Sequence, residues 1–206
     1  MAEFDVAQIA ARERAGLLTA LVAPRPIAFV STLSAAGVGN LAPYSFFMAG
    51  GYNPLSVAFA PVRPRNGTEK DTLRNVRETG EFVINVATFD LVARLNQASF
   101  DYPALVDEFD AAGLTRVAST RVKPPRVAEA VASLECRLYQ IVPHGTGPSS
   151  GTYVIGEVVH MHVSDTILTN GIPDNRKIEH IARLGANAFA RVTPDTLFDL
   201  ARPVAP

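Results

Sequence analysis

RPIAFVSTL, at residues 25–33, and GVGNLAPYSFF, at residues 37–47, together predict a β-hairpin near the start of this 206-residue chain. Both arms are rich in β-branched and aromatic residues, and small residues fill the connection between them. This pattern favours two antiparallel strands joined by a tight turn. We expect the second strand to continue to residue 47 and to bring its backbone and the Ser45 hydroxyl against a flat, partly polar ligand.

A second motif, GTEKDT at residues 67–72, follows a proline-rich loop and opens a helix predicted at 71–79, with Gly80 as its terminator. A helix N-terminus carries unpaired N–H groups and a partial positive charge, so it can bind an anion. Lys70 adds a full charge at the place where a phosphate would lie. The alternative is an ordinary surface helix that is capped by Thr68, with Lys70 directed into water.

The rest of the chain predicts about six strands and a few helices without regular βα alternation. That composition favours an antiparallel β-barrel with added helices in a single domain. A helix or a loose arm is expected at 4–21 and a further helix at 89–98, whereas Gly50 and Gly51 are expected to interrupt the chain. The other predicted strands are 55–60, 81–87, 132–142 and 152–163.

Composition excludes several classes of partner. The 19 basic and 20 acidic residues are interspersed and leave a net charge of −1, so nucleic acid is not an expected ligand. No apolar run approaches the roughly 18 residues that a membrane-spanning helix needs. The acidic first residues lack the apolar segment of a signal peptide, and we therefore expect a cytoplasmic protein. Small molecules and other proteins remain as partners.

Motifs for catalysis by side chains are missing from the sequence. It has no G-x-G-x-x-G, H-E-x-x-H or G-x-S-x-G pattern, and its one cysteine, Cys136, reads as a small core residue. His160 and His162 share one face of a predicted strand, which permits a metal site, and Glu157 lies on the same strand. Because no further ligand is evident, we predict neither a metal site nor a catalytic side chain.

Together with the hairpin, four other segments carry a resemblance to a known family: KDTLRNV (70–76), EFVINVA (81–87), LECRLYQIV (134–142) and IARLGANAFARV (181–192). The chain resembles the flavin reductase-like proteins, which include the reductase components of two-component monooxygenases and the flavoredoxins. The resemblance implies one FMN-binding domain over residues 1–206, with its core at about 24–192. It also implies a mainly β, antiparallel split barrel of Greek-key type.

The resemblance also implies a set of flavin contacts. One group would lie along the flavin ring and ribityl chain, and another would hold the phosphate, where Asp71 would act through its backbone N–H or by orienting Lys70. The first group is Thr32, Leu33, Asn40, Ala42 and Ser45, and the second is Lys70, Asp71 and Thr72. The family often has glycine and tyrosine where this chain has Ala186 and Phe189, which puts in doubt any hydrogen bond from that segment.

By the same resemblance, the expected function is transfer of hydride from NAD(P)H to FMN, and FAD could replace FMN. The flavin itself carries this chemistry, so no catalytic side chain is required. The protein would be a homodimer with its flavin near the subunit interface, and it could supply a partner monooxygenase. Two alternatives stay open: a flavoredoxin-like electron carrier that does not use a nicotinamide, and a β-barrel without a cofactor.

Overall fold

A computed structural model describes residues 1–203 of the chain. Strands dominate the described residues. The strands are β1 (Arg25–Pro26), β2 (Ala28–Leu33), β3 (Gly39–Tyr44), β4 (Phe47–Tyr52), β5 (Leu55–Phe59), β6 (Glu81–Val86), β7 (Arg116–Val117), β8 (Arg126–Val127), β9 (Ala132–His144), β10 (Gly151–Val163), β11 (Leu168–Thr169), β12 (Ile172–Pro173), β13 (Ile181–Arg183) and β14 (Phe189–Arg191). The α-helices are α1 (Ala11–Leu21), α2 (Asp71–Thr79), α3 (Val92–Gln97) and α4 (Glu108–Ala111).

Seven strands form one antiparallel sheet in the order β3-β2-β6-β9-β10-β5-β4. The predicted hairpin is its first pair, with Ala28 opposite Tyr44 and Leu33 opposite Gly39. A smaller sheet, β1-β13-β14, joins the start of the hairpin segment to the end of the chain. The hairpin is therefore confirmed, and it lies at one edge of the main sheet.

The main sheet curls round so that its two edge strands approach each other without pairing. Its two edge strands, β3 and β4, are consecutive in the chain and are joined only by Ser45 and Phe46. A flat seven-stranded sheet would be roughly 29 Å wide, whereas three peptide units reach about 11 Å at most. The sheet must therefore curl until its edges meet, and the Tyr44 and Phe59 rings pack with centroids 5.3 Å apart inside it. The expected barrel with added helices is confirmed.

Apolar side chains fill both faces of the central strands, because residues alternate between the two sides of a strand. One cluster, which includes Phe59, Phe82 and Val76, fills the barrel and packs against α2. The other includes Phe29 and Leu95 and lies beneath the additional helices. Cys136 is fully buried in the first cluster, and burial raises the pKa of its thiol, as expected for a small core residue.

Helix α2 has the predicted limits. It begins at Asp71 and ends before Gly80, whose φ of 71° is left-handed and whose N–H donates to the Val76 carbonyl over 2.9 Å. Leu73 and Val76 are buried against the barrel cluster. Glycine adopts this conformation without a Cβ clash, which explains why the helix stops there. The barrel thus holds the start of α2 next to the hairpin.

The prediction of one strand through residues 41–47 is wrong. β3 ends at Tyr44, the chain bends at Ser45 and Phe46, and β4 then pairs with β5 at the other edge of the sheet. Gly50 and Gly51 were expected to interrupt the chain, and this prediction is also wrong. Both glycines lie inside β4, at a shift in its register with β5. Edge strands tolerate glycine at such bulges, so an apparent breaker can be part of a strand.

The remaining elements follow the expectations closely. The helix predicted at 89–98 begins with a 3-10 turn at Phe89–Leu91 and continues as α3. β9 and β10 form a long hairpin, of which the predicted strands cover most. None of the helices within residues 1–203 combines the length and apolar character needed to cross a membrane.

Candidate functional site

A groove runs along β3 and the start of α2, where two cavities meet at Pro43 and Ser99. The first has a volume of about 120 Å³ and the second about 200 Å³. The first is lined by Asn40, Ala42, Pro43, Tyr44, Lys70, Asp71, Thr72, Ala98, Ser99, Phe100, Asp101, Tyr102 and Glu108. The second is lined by Ile27, Pro43, Ser45, Leu95, Asn96, Ser99, Arg183 and Phe189. Six of the eight residues predicted as flavin contacts line this groove.

One end of the groove is the N-terminus of α2. The first helical hydrogen bonds run from Leu73 and Arg74 N–H to the Lys70 carbonyl. The N–H groups of Asp71 and Thr72 precede these bonds and belong to the set of donors that a helix start leaves available. Gly67, with φ of 77°, supplies the turn that leads into this end. The end is therefore suited to an anionic group.

The Lys70 ammonium takes part in one ion pair. Its Nζ lies 2.6 Å from Asp101 Oδ1, and Asp101 is largely exposed. The Asp71 carboxylate pairs instead with Arg74, one turn along the helix. The Asp71 carboxylate therefore does not contact Lys70 in the chain without flavin, because i,i+3 neighbours on a helix face each other whereas adjacent residues do not. The backbone N–H of Asp71 remains as its predicted means of contact.

Buried amides fix the two threonines between the hairpin and α2. Asn40 Nδ2 donates to Thr72 Oγ1 over 2.8 Å, and Asn75 Nδ2 donates to Thr32 Oγ1 over 3.0 Å. The Asn75 Oδ1 atom is buried and has no hydrogen-bond partner within residues 1–203. These bonds hold β2, β3 and α2 in one arrangement, and this rigidity preorganises the groove wall.

Thr32 and Leu33 are the two predicted residues that line neither cavity. Thr32 is fully buried beneath α2, where its hydroxyl accepts the bond from Asn75. Leu33 is half-buried at the end of β2, opposite Gly39. Their contact with a flavin stays a prediction, while their position supports the strand that bears Asn40.

The other end of the groove is formed around Ser45 by two arginines. Arg25 is buried, and its guanidinium donates to the Thr19, Val22 and Leu184 carbonyls at 2.6–3.0 Å. Its Nε lies 3.4 Å from Ser45 Oγ, so the same side chain joins α1, the β13 end and the groove. Burial is the main factor that lowers the Arg25 pKa, followed by the nearby positive charge of Arg183.

Arg183 lies over the Phe189 ring, with its guanidinium carbon 4.4 Å from the ring centroid. The intervening Ala186 has φ of 51°, in the left-handed region that glycine adopts at least cost. A glycine at this position would adopt the same conformation without the steric cost of a Cβ. Phe189 offers a ring face but no hydroxyl, so this end is an aromatic and cationic wall.

Sequence reasoning missed the part of the groove that residues 98–108 contribute. Asp101 and Tyr102 line the first cavity, and Glu108 is buried there with Oε2 accepting the Leu41 N–H over 2.9 Å. Burial raises the Glu108 pKa, an effect that the bond from Leu41 partly opposes. Only the sequence Phe-Asp-Tyr at 100–102 gave a signal, and nothing in it indicates which elements it contacts. Glu157 is exposed on β10, as expected.

Residues 21–181 match the family described as "Flavin reductase like domain". An uncharacterized protein of Halalkalibacterium halodurans is 38% identical, over 93% of this chain and 92% of its own length. Among solved structures, nitrilotriacetate monooxygenase component B from Bacillus cereus has 32% identity and a TM-score of 0.91, covering 97% of this chain and 98% of its own. The Pseudomonas fluorescens 2-nitrobenzoate 2-nitroreductase has 28% identity and a TM-score of 0.84, covering 100% and 96%.

Proposed function

The chain belongs to the flavin reductase-like family, and from this premise we propose that it is an FMN-binding oxidoreductase that takes hydride from a nicotinamide. The observation that carries the proposal is the groove, which joins a helix N-terminus with Lys70 to an aromatic and cationic wall. One domain over residues 1–206, with its core at about 24–192, would form the site. FAD could replace FMN only with its adenylate half outside the groove.

The groove residues would divide the flavin between them. The α2 N–H groups and Lys70 would bind the phosphate, and the β3 backbone with Asn40 and Ala42 would run along the ribityl chain. Ser45 would lie towards the ring, where Arg25 orients it. The bound flavin would supply the hydride chemistry. The protein would orient the flavin, place charged groups next to it and exclude water from one side of it. This role agrees with the lack of catalytic motifs in the sequence.

Reduced flavin could then serve a partner oxygenase. One of the solved relatives is a monooxygenase component B, and its 32% identity over nearly the whole chain supports a similar task. The family resemblance also keeps the second candidate, a flavoredoxin-like electron carrier. We propose a cytoplasmic location in either case, with neither nucleic acid nor a membrane as partner.

The electron donor is expected to bind weakly and with little discrimination between NADH and NADPH. No dinucleotide-binding motif is present in the sequence, so a nicotinamide would stack on the exposed flavin face and leave its adenosine half with few contacts. One or two contacts separate related ligands by only a few kcal/mol. Anaerobic mixing of the FMN-loaded protein with each donor, followed at the flavin absorbance, measures both rates.

Bleaching by both donors at millimolar concentration would support the reductase. A protein that binds FMN but is bleached by neither donor would instead be the electron carrier, and a colourless protein that takes up no FMN would contradict both candidates. Phe189→Tyr is an informative variant, because it restores the hydroxyl that the family often has near the groove. A change in the nicotinamide rate without a change in FMN affinity would place the donor at that wall.

A homodimer is expected, with the exposed edge strand β4 in its interface. Met48 and Tyr52 on this strand are exposed, and Met48 lines, together with Tyr153, an apolar depression of about 400 Å³. Uncovered edges and apolar patches favour association with another chain. Light scattering should therefore report twice the 22.0 kDa chain mass.

Met48→Lys should shift this dimer towards monomer, because it places a charge in the apolar patch. Met161→Lys is the matched control, since Met161 is comparably exposed on β10 but lies away from β4. A wild-type monomer that still binds flavin would contradict the proposed assembly. Equal dissociation by both variants would show that β4 is not the interface.

A further inference from the structure

Glu135, His160 and His162 form a cluster outside the flavin groove. One ligand atom from each lies within 4.8 Å of those from the other two. The His162 Nε2 atom is 2.5 Å from Glu135 Oε1, and the two imidazole rings lie edge to face with centroids 4.8 Å apart. None of the three residues lines either cavity of the groove.

The β9–β10 register creates this cluster. Glu135 lies directly opposite His160, and His162 lies opposite Ser133, so the carboxylate is next to one histidine and diagonal to the other. Directly opposed and diagonal residues on one face of an antiparallel pair are within reach of each other. A shift in register between Val158 and His160 locally bends the strand next to the cluster. The sequence analysis found the two histidines but not this third donor.

Glu135 is fully buried and is held as a carboxylate. Its oxygens accept the N–H groups of Thr120, Arg121 and Val122 at 2.5–3.2 Å. Three backbone N–H donors and the His162 imidazole thus face the two carboxylate oxygens. The cluster therefore contains a fixed negative charge, the counter-charge that a cation needs.

Both histidines are partly exposed to solvent. They are half-buried, and His162 also lines a separate cavity of about 460 Å³ with Arg126, Met161 and Ser164. An ion could reach the His162 imidazole from this side without unfolding the strands. Water from the cavity could complete the coordination, as it does in sites with three protein ligands.

We propose that Glu135, His160 and His162 bind a divalent transition-metal ion of the zinc type. Imidazole nitrogen with one carboxylate oxygen suits zinc, nickel and copper, whereas calcium and magnesium prefer oxygen alone. Ligands of a tetrahedral zinc lie about 3.4 Å apart, given bond lengths near 2.1 Å. The distance between His162 Nε2 and Glu135 Oε1 must therefore increase from 2.5 Å, and the largest distance between ligand atoms, up to 4.8 Å, must decrease. Rotation of the two half-buried imidazoles would make both changes.

The bound ion would fasten β9 to β10 and, through Glu135, to the loop at 120–122. The expected role is therefore structural, and it does not depend on the proposed flavin chemistry. In the metal-free chain the hydrogen bond between His162 and Glu135 keeps the two ligands together, and the ion would take its place. Binding of the ion would then raise the unfolding temperature, by an amount that grows with the logarithm of the free zinc concentration above its Kd.

Calorimetric titration of the metal-free full chain, without an affinity tag, with zinc chloride tests the proposal. We expect one ion per chain, with His160→Ala and His162→Ala each weakening binding at least tenfold. His144→Ala and His180→Ala are matched controls, because these histidines lie outside the cluster, and they should leave binding unchanged. Cobalt in place of zinc should give the visible absorption of a low-symmetry, four-coordinate site.

His160→Ala keeps the test decisive, because it leaves the hydrogen bond between His162 and Glu135 intact and should fold normally. Failure to bind one zinc ion per chain at micromolar to submillimolar concentration would overturn the proposal. So would binding that neither histidine variant weakens. His162→Ala could also lower the melting temperature while zinc leaves it unchanged in wild type and in every variant. That result would contradict the metal site and would show only that His162 and Glu135 form a stabilising hydrogen bond.

Discussion

Replacing Lys70 by alanine is expected to weaken FMN binding about ten- to a hundredfold. A charge-assisted hydrogen bond contributes about 1.5–3 kcal/mol, and each 1.4 kcal/mol or so corresponds to a factor of ten in affinity. In the free protein the Lys70 ammonium pairs with the largely exposed Asp101. Because surface ion pairs contribute little, about 0–1 kcal/mol, a phosphate can displace Asp101 at small cost.

The phosphate dependence of this loss is the sharper part of the prediction. Riboflavin has no phosphate, so its affinity should be nearly the same for wild type and Lys70→Ala. Arg77→Ala is the matched control, because it removes a cation from the same helix, where Arg77 pairs with Glu69. Fluorescence titration of both flavins with the three proteins measures all six affinities.

Asp101→Asn provides the complementary variant, because it removes the carboxylate that competes with the phosphate for Lys70. FMN should bind this variant at least as tightly as wild type. Equal losses of FMN and riboflavin affinity in Lys70→Ala would show that this lysine is not the phosphate contact. If Arg77→Ala lost as much FMN affinity as Lys70→Ala, the loss would come from the overall positive charge of α2 and not from a contact between Lys70 and the phosphate.

Features that depend on near neighbours in the chain could be predicted from the sequence. The hairpin follows from residue types on both sides of a short turn, and α2 follows from its start at Lys70-Asp71 and its stop at Gly80. The end of the groove that we propose to bind phosphate is contained in this one segment. The number of strands without βα alternation indicated a barrel, and the family resemblance then indicated the split-barrel type, since local patterns alone do not specify the order of the strands.

Contacts between distant segments could not be predicted in the same way. The sequence does not indicate that Asp101 would reach Lys70, or that Glu135 would lie opposite His160, because both depend on strand register and on how the sheet curls. β4 was missed for a related reason. Its Gly50 and Gly51 look like a local interruption, and only the pairing with β5 makes them part of a strand.

Phe82→Ala is expected to destabilise the protein by about 3–5 kcal/mol, the usual cost of removing a buried aromatic ring. Phe82 is fully buried at the centre of the barrel, and its ring lies edge to face on Phe59 with centroids 5.4 Å apart. It also covers Gly156 on β10. A Cβ at that glycine would lie 2.8 Å from Phe82 Cε1 and closer still to Cζ.

Gly156→Ala should accordingly cost about 1–3 kcal/mol through overpacking. Gly147→Ala is its control, because a Cβ there meets nothing within 4 Å, and surface changes of this kind stay within about 0.5 kcal/mol. Chemical denaturation of all variants at one protein concentration gives the free energies of unfolding, since assembly would make them depend on concentration.

The double variant Phe82→Ala/Gly156→Ala distinguishes a specific fit from two independent losses. The new methyl group would occupy part of the cavity left by the ring, and the ring that it would overlap is gone. We therefore expect the double variant to be more stable than the sum of the single changes predicts, by about 0.5–3 kcal/mol. Strict additivity would mean that Gly156 is required by the β10 backbone at its register shift rather than by Phe82. In that case the glycine would shape the strand, and the aromatic ring would merely fill the space above it.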